Sequence, residues 1–334
     1  MKSRISMFVS VAALTALAVC IPSSVYAQQN WKAELGAQSK DMGKLAIAFL
    51  PNELWIHEGD NITWTSGSGE IHTVSFLIAG QAYTNFMVGC PGFSPSGTSF
   101  DGTKCVSAPP LTTGQSFTVN FPKPGNYSLV CLVHPHMTGV IHVLAASAIL
   151  PHNQAFYDAQ GADQRKSLLA DTDKQRDMDD MLSAHVLANK NSVTAGIGQM
   201  NVTGAGFESL SVVRFLNGTI EIHKGDTIEW TNLDPALPHT ITFGTEPANP
   251  TPPSGNVPIT LDADGVLHAT INSKGDNVHS GLILASPENQ VGVPQSPPGN
   301  TRFRITFTEA GTYNYICALH DELGMVGKVI VTPY

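Results

Sequence analysis

The chain repeats itself. Phe49 to Thr65 returns as Phe215 to Thr231 without a gap, with Ile56/Ile222, His57/His223, Gly59/Gly225, Asp60/Asp226, Ile62/Ile228, Trp64/Trp230 and Thr65/Thr231 in register. Each copy alternates apolar and polar residues on either side of a Gly-Asp pair, which reads as strand, tight turn, strand. A second matched block closes each copy: Phe121 to His134 pairs with Phe307 to His320, sharing Gly125/Gly311, Tyr127/Tyr313 and Cys131/Cys317. The 334 residues therefore divide into two homologous β-domains, expected at 28–148 and 196–334, each large enough to bury its own core. Thirty glycines and 22 prolines suit such a loop-rich all-β chain. The intervening 149–195 has another character. Leu168, Leu169, Met178, Met181, Leu182 and His185 fall at near-helical spacing, which predicts a linker helix with one packed face. Each domain also carries a long insertion, and the second, over 245–300, is expected to be mostly loop.

Each repeat ends on a cysteine, a histidine three residues later and a methionine just beyond: Cys131, His134 and Met137, then Cys317, His320 and Met325. Upstream, each has a histidine at the start of an apolar strand, His72 before Thr73-Val74 and His239 before Thr240-Ile241. Two imidazoles, a thiolate and a thioether are the ligand set of a blue-copper site: the sulfurs favour Cu(I), imidazole suits both oxidation states, and the axial thioether tunes the potential. Buried core residues would explain one such cysteine or histidine. They do not explain two complete sets at matching spacing.

Both halves resemble the cupredoxins, the plastocyanin and amicyanin family. The Cys-x-x-His-Pro-x-Met loop of domain 1 is similar to that of amicyanin, and the longer loop of domain 2 to that of plastocyanin and pseudoazurin. The resemblance covers neither insertion nor the linker. It implies two tandem Greek-key β-sandwiches, each holding one mononuclear type 1 copper through His72, Cys131, His134 and Met137 or through His239, Cys317, His320 and Met325. It also implies one-electron transfer between redox proteins, with His134 and His320 near the surface as electron ports. Thr73 and Thr240 stand where the family often has asparagine, so a hydrogen bond behind the cysteine is open to question. The two ligand loops differ by two residues, which predicts different potentials.

Cupredoxin domains also build oxidases and nitrite reductases. The runner-up reading is therefore an enzyme with a further copper between domains or subunits. Those families place histidine beside the blue-copper cysteine, whereas Val130, Leu132, Ile316 and Ala318 stand here, and His134-Pro135-His136 is the sole His-x-His pair. No catalytic residues are assigned. His57 and His223 could bridge domains through a metal but read more simply as strand residues, and His136 as an exposed loop residue near the domain 1 site. Met178, Met181 and His185 could hold Cu(I), though that spacing more often makes packing surface.

Lys2 and Arg4, the apolar run Met7 to Ile21 and the small-residue ending Val25-Tyr26-Ala27 read as a signal peptide over 1–27, cleaved after Ala27. A lipid-anchored alternative at Cys20 is disfavoured by Val19. Export to the periplasm or medium, with no membrane span in the mature chain, fits a Cys90–Cys105 disulfide; a second soft-metal site is the alternative for that pair. The net charge of −9, with no basic cluster longer than Arg165-Lys166, excludes phosphate-driven nucleic-acid binding and favours partners with a basic face, a second copy of the chain among the possible neighbours.

Overall fold

The computed structural model describes residues 27–81, 90, 98–134, 136–170, 191–285 and 298–334. The first unit holds β1 (Asn30–Gln38), β2 (Lys44–Leu50), β3 (Glu53–His57), β4 (Asn61–Ser66), β5 (Ser75–Phe76), β6 (Thr98–Ser99), β7 (Val106–Ser107), β8 (Ser116–Asn120), β9 (Gly125–Val130) and β10 (Thr138–Leu144). Helix α1 (Gln154–Ala170) follows. The second unit holds β11 (Ser192–Val202), β12 (Phe207–Leu216), β13 (Thr219–His223), β14 (Thr227–Leu233), β15 (Thr242–Phe243), β16 (Ser254–Gly255), β17 (Ile259–Leu261), β18 (Leu267–Ile271), β19 (Val278–His279), β20 (Arg302–Phe307), β21 (Gly311–Ile316) and β22 (Val326–Thr332).

The repeated segments occupy matched places. Trp64 of β4 lies opposite Phe117 of the antiparallel β8 and Ala33 of the parallel β1; Trp230 of β14 lies opposite Phe303 of β20 and Val193 of β11. Both indoles are fully buried, each among aromatic neighbours including Phe76 or Phe243. The Gly-Asp turns need the left-handed backbone at Gly59 (φ 89°) and Gly225 (φ 95°). Beside the first, the buried Asp60 carboxylate accepts from the Trp31 indole, the Gln29 amide and the His57 amide, tying β1 to the turn.

Each unit is a two-layer sandwich, but the layers are not separate between units. One 11-stranded sheet runs β17-β18-β20-β14-β11-β12-β2-β1-β4-β8-β6 through both, faced by a five-stranded sheet (β3-β10-β9-β5-β7) in the first unit and a six-stranded one (β13-β22-β21-β15-β19-β16) in the second. The seam is the antiparallel pair β2–β12, with Leu45 opposite Ser211, Ala46 opposite Leu210 and Ile47 opposite Ser209. Strand β2 is buried on both faces, as its unbroken apolar run requires. Leu45, Ile47 and Phe49 point into the sandwich core, while Ala46, Ala48 and Leu50 lie under Leu168 and Leu169 of α1.

The predicted linker helix is α1, capped by the Asn153 carboxamide on the Phe156 amide; Met178, Met181, Leu182 and His185 lie outside the described residues. It packs on the first unit through Tyr157, Leu168 and Gly161, where a Cβ would come within 3.0 Å of the Leu50 carbonyl. The Tyr157 hydroxyl accepts from the Trp55 amide (2.9 Å) and donates to the Trp55 carbonyl (3.2 Å), closing the free side of β3. Arg165 pairs with Glu34.

Over its described residues, 245–285, the second insertion is mostly loop, as expected, with four short strands set in it. The β17–β18 hairpin extends the large sheet, because Leu267-His268-Ala269-Thr270-Ile271 alternates in and out and pairs in parallel with β20. Arg304 anchors it from beneath, reaching Asp262 (2.9 Å), Asp264 (2.7 Å) and Glu229 (2.7 Å). In the first insertion the sulfurs of Cys90 and Cys105 are bonded, with Cα atoms 5.6 Å apart.

Replacing Tyr157 by phenylalanine keeps the packing but leaves the Trp55 amide without its acceptor. Urea unfolding of Tyr157→Phe is expected to show a loss of about 1–2 kcal/mol with an unchanged m-value.

Candidate metal centres

His72, Cys131 and His134 bring one donor atom each within 4.8 Å of one another, and so do His239, Cys317 and His320. All six are buried, none more than 2% exposed. The cysteines directly follow β9 and β21, the second histidines lie in the same loops, and the first histidines precede β5 and β15. An isolated antiparallel bridge pins each of the latter: His72 to Leu111, and His239 to Ile283, each through a pair of backbone hydrogen bonds of 2.7–3.0 Å. Leu111 lies between β7 and β8 and Ile283 in the second insertion, and these segments hold the first histidines against the cysteine loops.

The loops close on their own backbones. Cys131 N–H donates to Met137 O and Met137 N–H to His134 O; Cys317 N–H donates to Met325 O and Met325 N–H to His320 O. Met137 and Met325 are thereby held beside the cysteines, both fully buried. The second loop uses its two extra residues for a further turn, Leu323 N–H to His320 O and Gly324 N–H to Asp321 O.

Thr73 and Thr240 supply the hydrogen bonds that their identity had left in question. Each donates its backbone N–H to the cysteine Sγ at 3.3 Å, and each hydroxyl accepts from the residue after the cysteine, Leu132 or Ala318, at 2.7 Å. The histidine strand and the cysteine loop are locked together at the sulfur.

Two glycines make the room. Gly36 in β1 (φ +59°) and Gly196 in β11 (φ +76°) sit at matched register breaks in their strands. A Cβ on Gly36 would lie 2.4 Å from His72 Nε2, and one on Gly196 2.0 Å from His239 Nε2. Neither glycine was singled out by the repeat, which begins after β1.

The charge states follow from proximity. Burial opposes ionisation of Cys131, but the imidazoles of His134 and His72 outweigh it and hold the thiol well below its ordinary range; His320 and His239 do the same for Cys317. Against the same burial penalty, the thiolates and Glu70 push His134 up to about 9 and His320 up to about 10. The donor set suits a soft or borderline cation: a thiolate faces the Nδ1 of each second histidine at 3.6 or 3.4 Å, and the buried His72 Nδ1 has no hydrogen-bond partner. His239 Nδ1 and His320 Nδ1 converge at 3.2 Å, a meeting of nitrogens that a shared cation would satisfy.

The outer nitrogens of the two first histidines face different groups. His72 Nε2 bonds Ser68 Oγ at 3.0 Å, whereas His239 Nε2 lies 3.6 Å from Oδ2 of the fully buried Asp234. The opposite oxygen of Asp234 accepts from Ser211 Oγ and the Ala236 and Leu237 amides.

His134 and His320 are not at the surface, contrary to what the resemblance implied. Each is covered because the β2–β12 seam turns the two ligand loops toward each other. Glu70, on the loop before His72, stands between them: His134 Nε2 is 3.5 Å from its Oε1 and His320 Nε2 is 3.2 Å from its Oε2. Nothing in the repeat pointed to Glu70 except that it breaks it, since Leu237 stands two residues before His239. Among the described residues, the other histidines have structural partners. His57 bonds Ala148 O, His142 stacks on Trp55 and bonds Asn126 and Glu53, His268 bonds Asp262 and Thr306, His279 bonds Thr242 and Pro250 O, and His136, only 8% exposed, packs edge-on to Phe207. His223 is largely exposed.

The family model of copper binding proteins of the plastocyanin/azurin family matches residues 36–144 and 201–332. The plastocyanin of Sambucus nigra is 35% identical over 85 residues, covering 25% of this chain and 84% of that protein. Amicyanin-alpha of Methylorubrum extorquens is 28% identical over 134 residues, 40% of this chain and 92% of its own length. The chloroplastic plastocyanin of Tetradesmus obliquus is 29% identical over 118 residues, 35% of this chain but only 57% of that protein. Among solved structures, a reduced amicyanin mutant matches with 19% identity and a TM-score of 0.24, covering 34% of this chain and 81% of that one.

A methyl group at Gly196 would displace the His239 ring. Gly196→Ala is expected to lose metal binding at the second group and keep it at the first, read by titrating the folded protein with a thiophilic metal and following the two thiolate absorptions against Cys131→Ser and Cys317→Ser controls.

Proposed function

The chain belongs to the plastocyanin/azurin family of copper-binding proteins, and on that premise we propose that it is an exported electron carrier with two mononuclear type 1 coppers. The observation that carries the reading is the doubled group of two buried imidazoles and one thiolate, each beside a buried methionine. His72, Cys131, His134 and Met137 would hold one ion, and His239, Cys317, His320 and Met325 the other. Copper supplies one-electron chemistry between Cu(I) and Cu(II). The chain's own contribution is a set of ligands fixed in advance by the threonine locks, the pinned histidines and the closed loops, so that little has to move when the charge changes.

Export is supported by the signal-like first 27 residues and by the Cys90–Cys105 disulfide. No described helix is long and apolar enough to cross a membrane. The acidic balance of the chain favours redox partners that present a basic face. Integrated EPR of the oxidised, copper-loaded chain is expected to give two type 1 spins per chain, falling to one in Cys131→Ser and in Cys317→Ser. A stoichiometric type 2 signal in addition would overturn the carrier reading in favour of an enzyme.

The two centres should differ in potential. A carboxylate behind a ligand histidine makes the ring a stronger donor and favours the more highly charged metal. Asp234 does this for His239, while Ser68 gives His72 a neutral partner. Redox titration of the single-site variants is expected to place the second centre below the first, and Asp234→Asn to raise it. Equal midpoints, or a second centre above the first, would count against this role of Asp234.

A further inference from the structure

Glu70 belongs to neither predicted ligand set, yet it touches both. It is 12% exposed, lies on the loop between β4 and His72, and has one carboxylate oxygen against a histidine of each centre. The loop is held across the boundary between units: a Cβ on Gly69 would come within 2.8 Å of Leu323, a residue of the second ligand loop, and the Gly69 amide donates to Gln38 Oε1. Since the Nδ1 atoms of His134 and His320 turn to the thiolates, their Nε2 atoms carry protons aimed at Glu70.

Resting on the two-copper reading above, we propose that Glu70 is the bridge of an internal electron relay, joining the centres through His134 Nε2–H, its carboxylate and His320 Nε2–H. In the relay one electron leaves the centre held by His239, Cys317 and His320, which goes from Cu(I) to Cu(II), and arrives at the centre held by His72, Cys131 and His134, which goes from Cu(II) to Cu(I). Both Nε2 protons stay in place, so the transfer needs no proton donor or further reductant. The histidines that would serve as two separate ports in isolated domains here face each other, and the carboxylate fills the gap that would otherwise interrupt the contact. Coupling of this kind runs through groups in direct contact: Glu70 hydrogen-bonds His320 Nε2 at 3.2 Å and lies 3.5 Å from His134 Nε2, a charge contact to an atom with no hydrogen-bond partner of its own.

The test uses the full chain and begins with copper counting and EPR. A chain that holds fewer than two type 1 coppers overturns the two-copper reading and the relay with it. With two bound, a pulse of reductant should be followed by an electron redistribution between centres at a rate independent of protein concentration. In Glu70→Ala that rate is expected to fall by roughly ten-fold with both coppers retained. Glu70→Gln, which keeps the shape and one acceptor oxygen, should fold as the parent does and fall in between. A positioning role in the bridge also has a metal-free readout: in ¹H–¹⁵N spectra of the apo chain, the Nε2–H signals of His134 and His320 should both shift in Glu70→Gln. Two bound coppers with a redistribution rate that neither variant changes, or a shift confined to one histidine, would overturn the bridge while leaving the carrier reading intact.

Discussion

Everything particular to this molecule depends on one strand pair. The antiparallel contact between β2 and β12 joins one layer of each sandwich into a single continuous sheet. Backbone pairing of this kind fixes direction and register together, since a slip of one residue would turn every buried side chain of β2 to the wrong face. With the register fixed, the remaining contacts between units follow. Arg214 reaches the carbonyls of Asp41 and Leu323, Asn52 donates to Thr203, and the Phe207 amide donates to the Thr138 hydroxyl. These bonds lie close to the ligand loops, so the seam that joins the units also sets the distance between their centres.

Around each centre the fold solves a problem of crowding. A buried thiolate between two imidazoles is stable only if each group has its partners and nothing else intrudes. The threonine after the first histidine donates its backbone N–H to the sulfur and accepts on its hydroxyl from the amide beyond the cysteine, which secures two segments with one residue. Gly36 and Gly196 leave the space behind the histidine that any other residue would fill. Their positive φ angles and the register breaks they sit in are the same device used twice, at places where the strand must bend away from the ring.

What could be read from the residues and what could not divides along a physical line. His72, Cys131 and His134, with their counterparts, were legible because ligand spacing within a loop is local and the repeat displayed it twice. Trp64 and Trp230 stood out for the same reason as matched positions, and the structure buries both. The β2–β12 seam was not, because the unbroken apolar run from Leu45 to Leu50 marks a strand buried on both faces without saying which neighbour buries it. A helix between the units was expected, but of the residues whose spacing predicted it only Leu168 and Leu169 lie in Gln154–Ala170, and the helix's role as the cover of Ala46, Ala48 and Leu50 appears only in the packing. The hairpin at Ile259–Ile271 was hidden by the prolines and glycines around it, although the alternation of Leu267 to Ile271 was present in the chain. The surface placement of His134 and His320 failed because it was carried over from single domains, where no second sandwich stands against the loop.

The asymmetry between the halves is as informative as the repeat. Both copies preserve the threonine lock, the glycine cradle and the pinned first histidine, all of which act within one unit. The differences fall on groups that look outward from the ligands: Ser68 against Asp234, and Glu70 against Leu237. Two identical carriers joined in one chain would need neither difference. A serine on one side and a carboxylate on the other would separate the energies of two bound ions, and in the proposed relay the carboxylate shared between the second histidines would carry that difference across the boundary. One carboxylate suffices for this contact, because each of its two oxygens faces one of the histidines. The absence of a counterpart to Glu70 is thus what a single bridging group between two facing histidines requires.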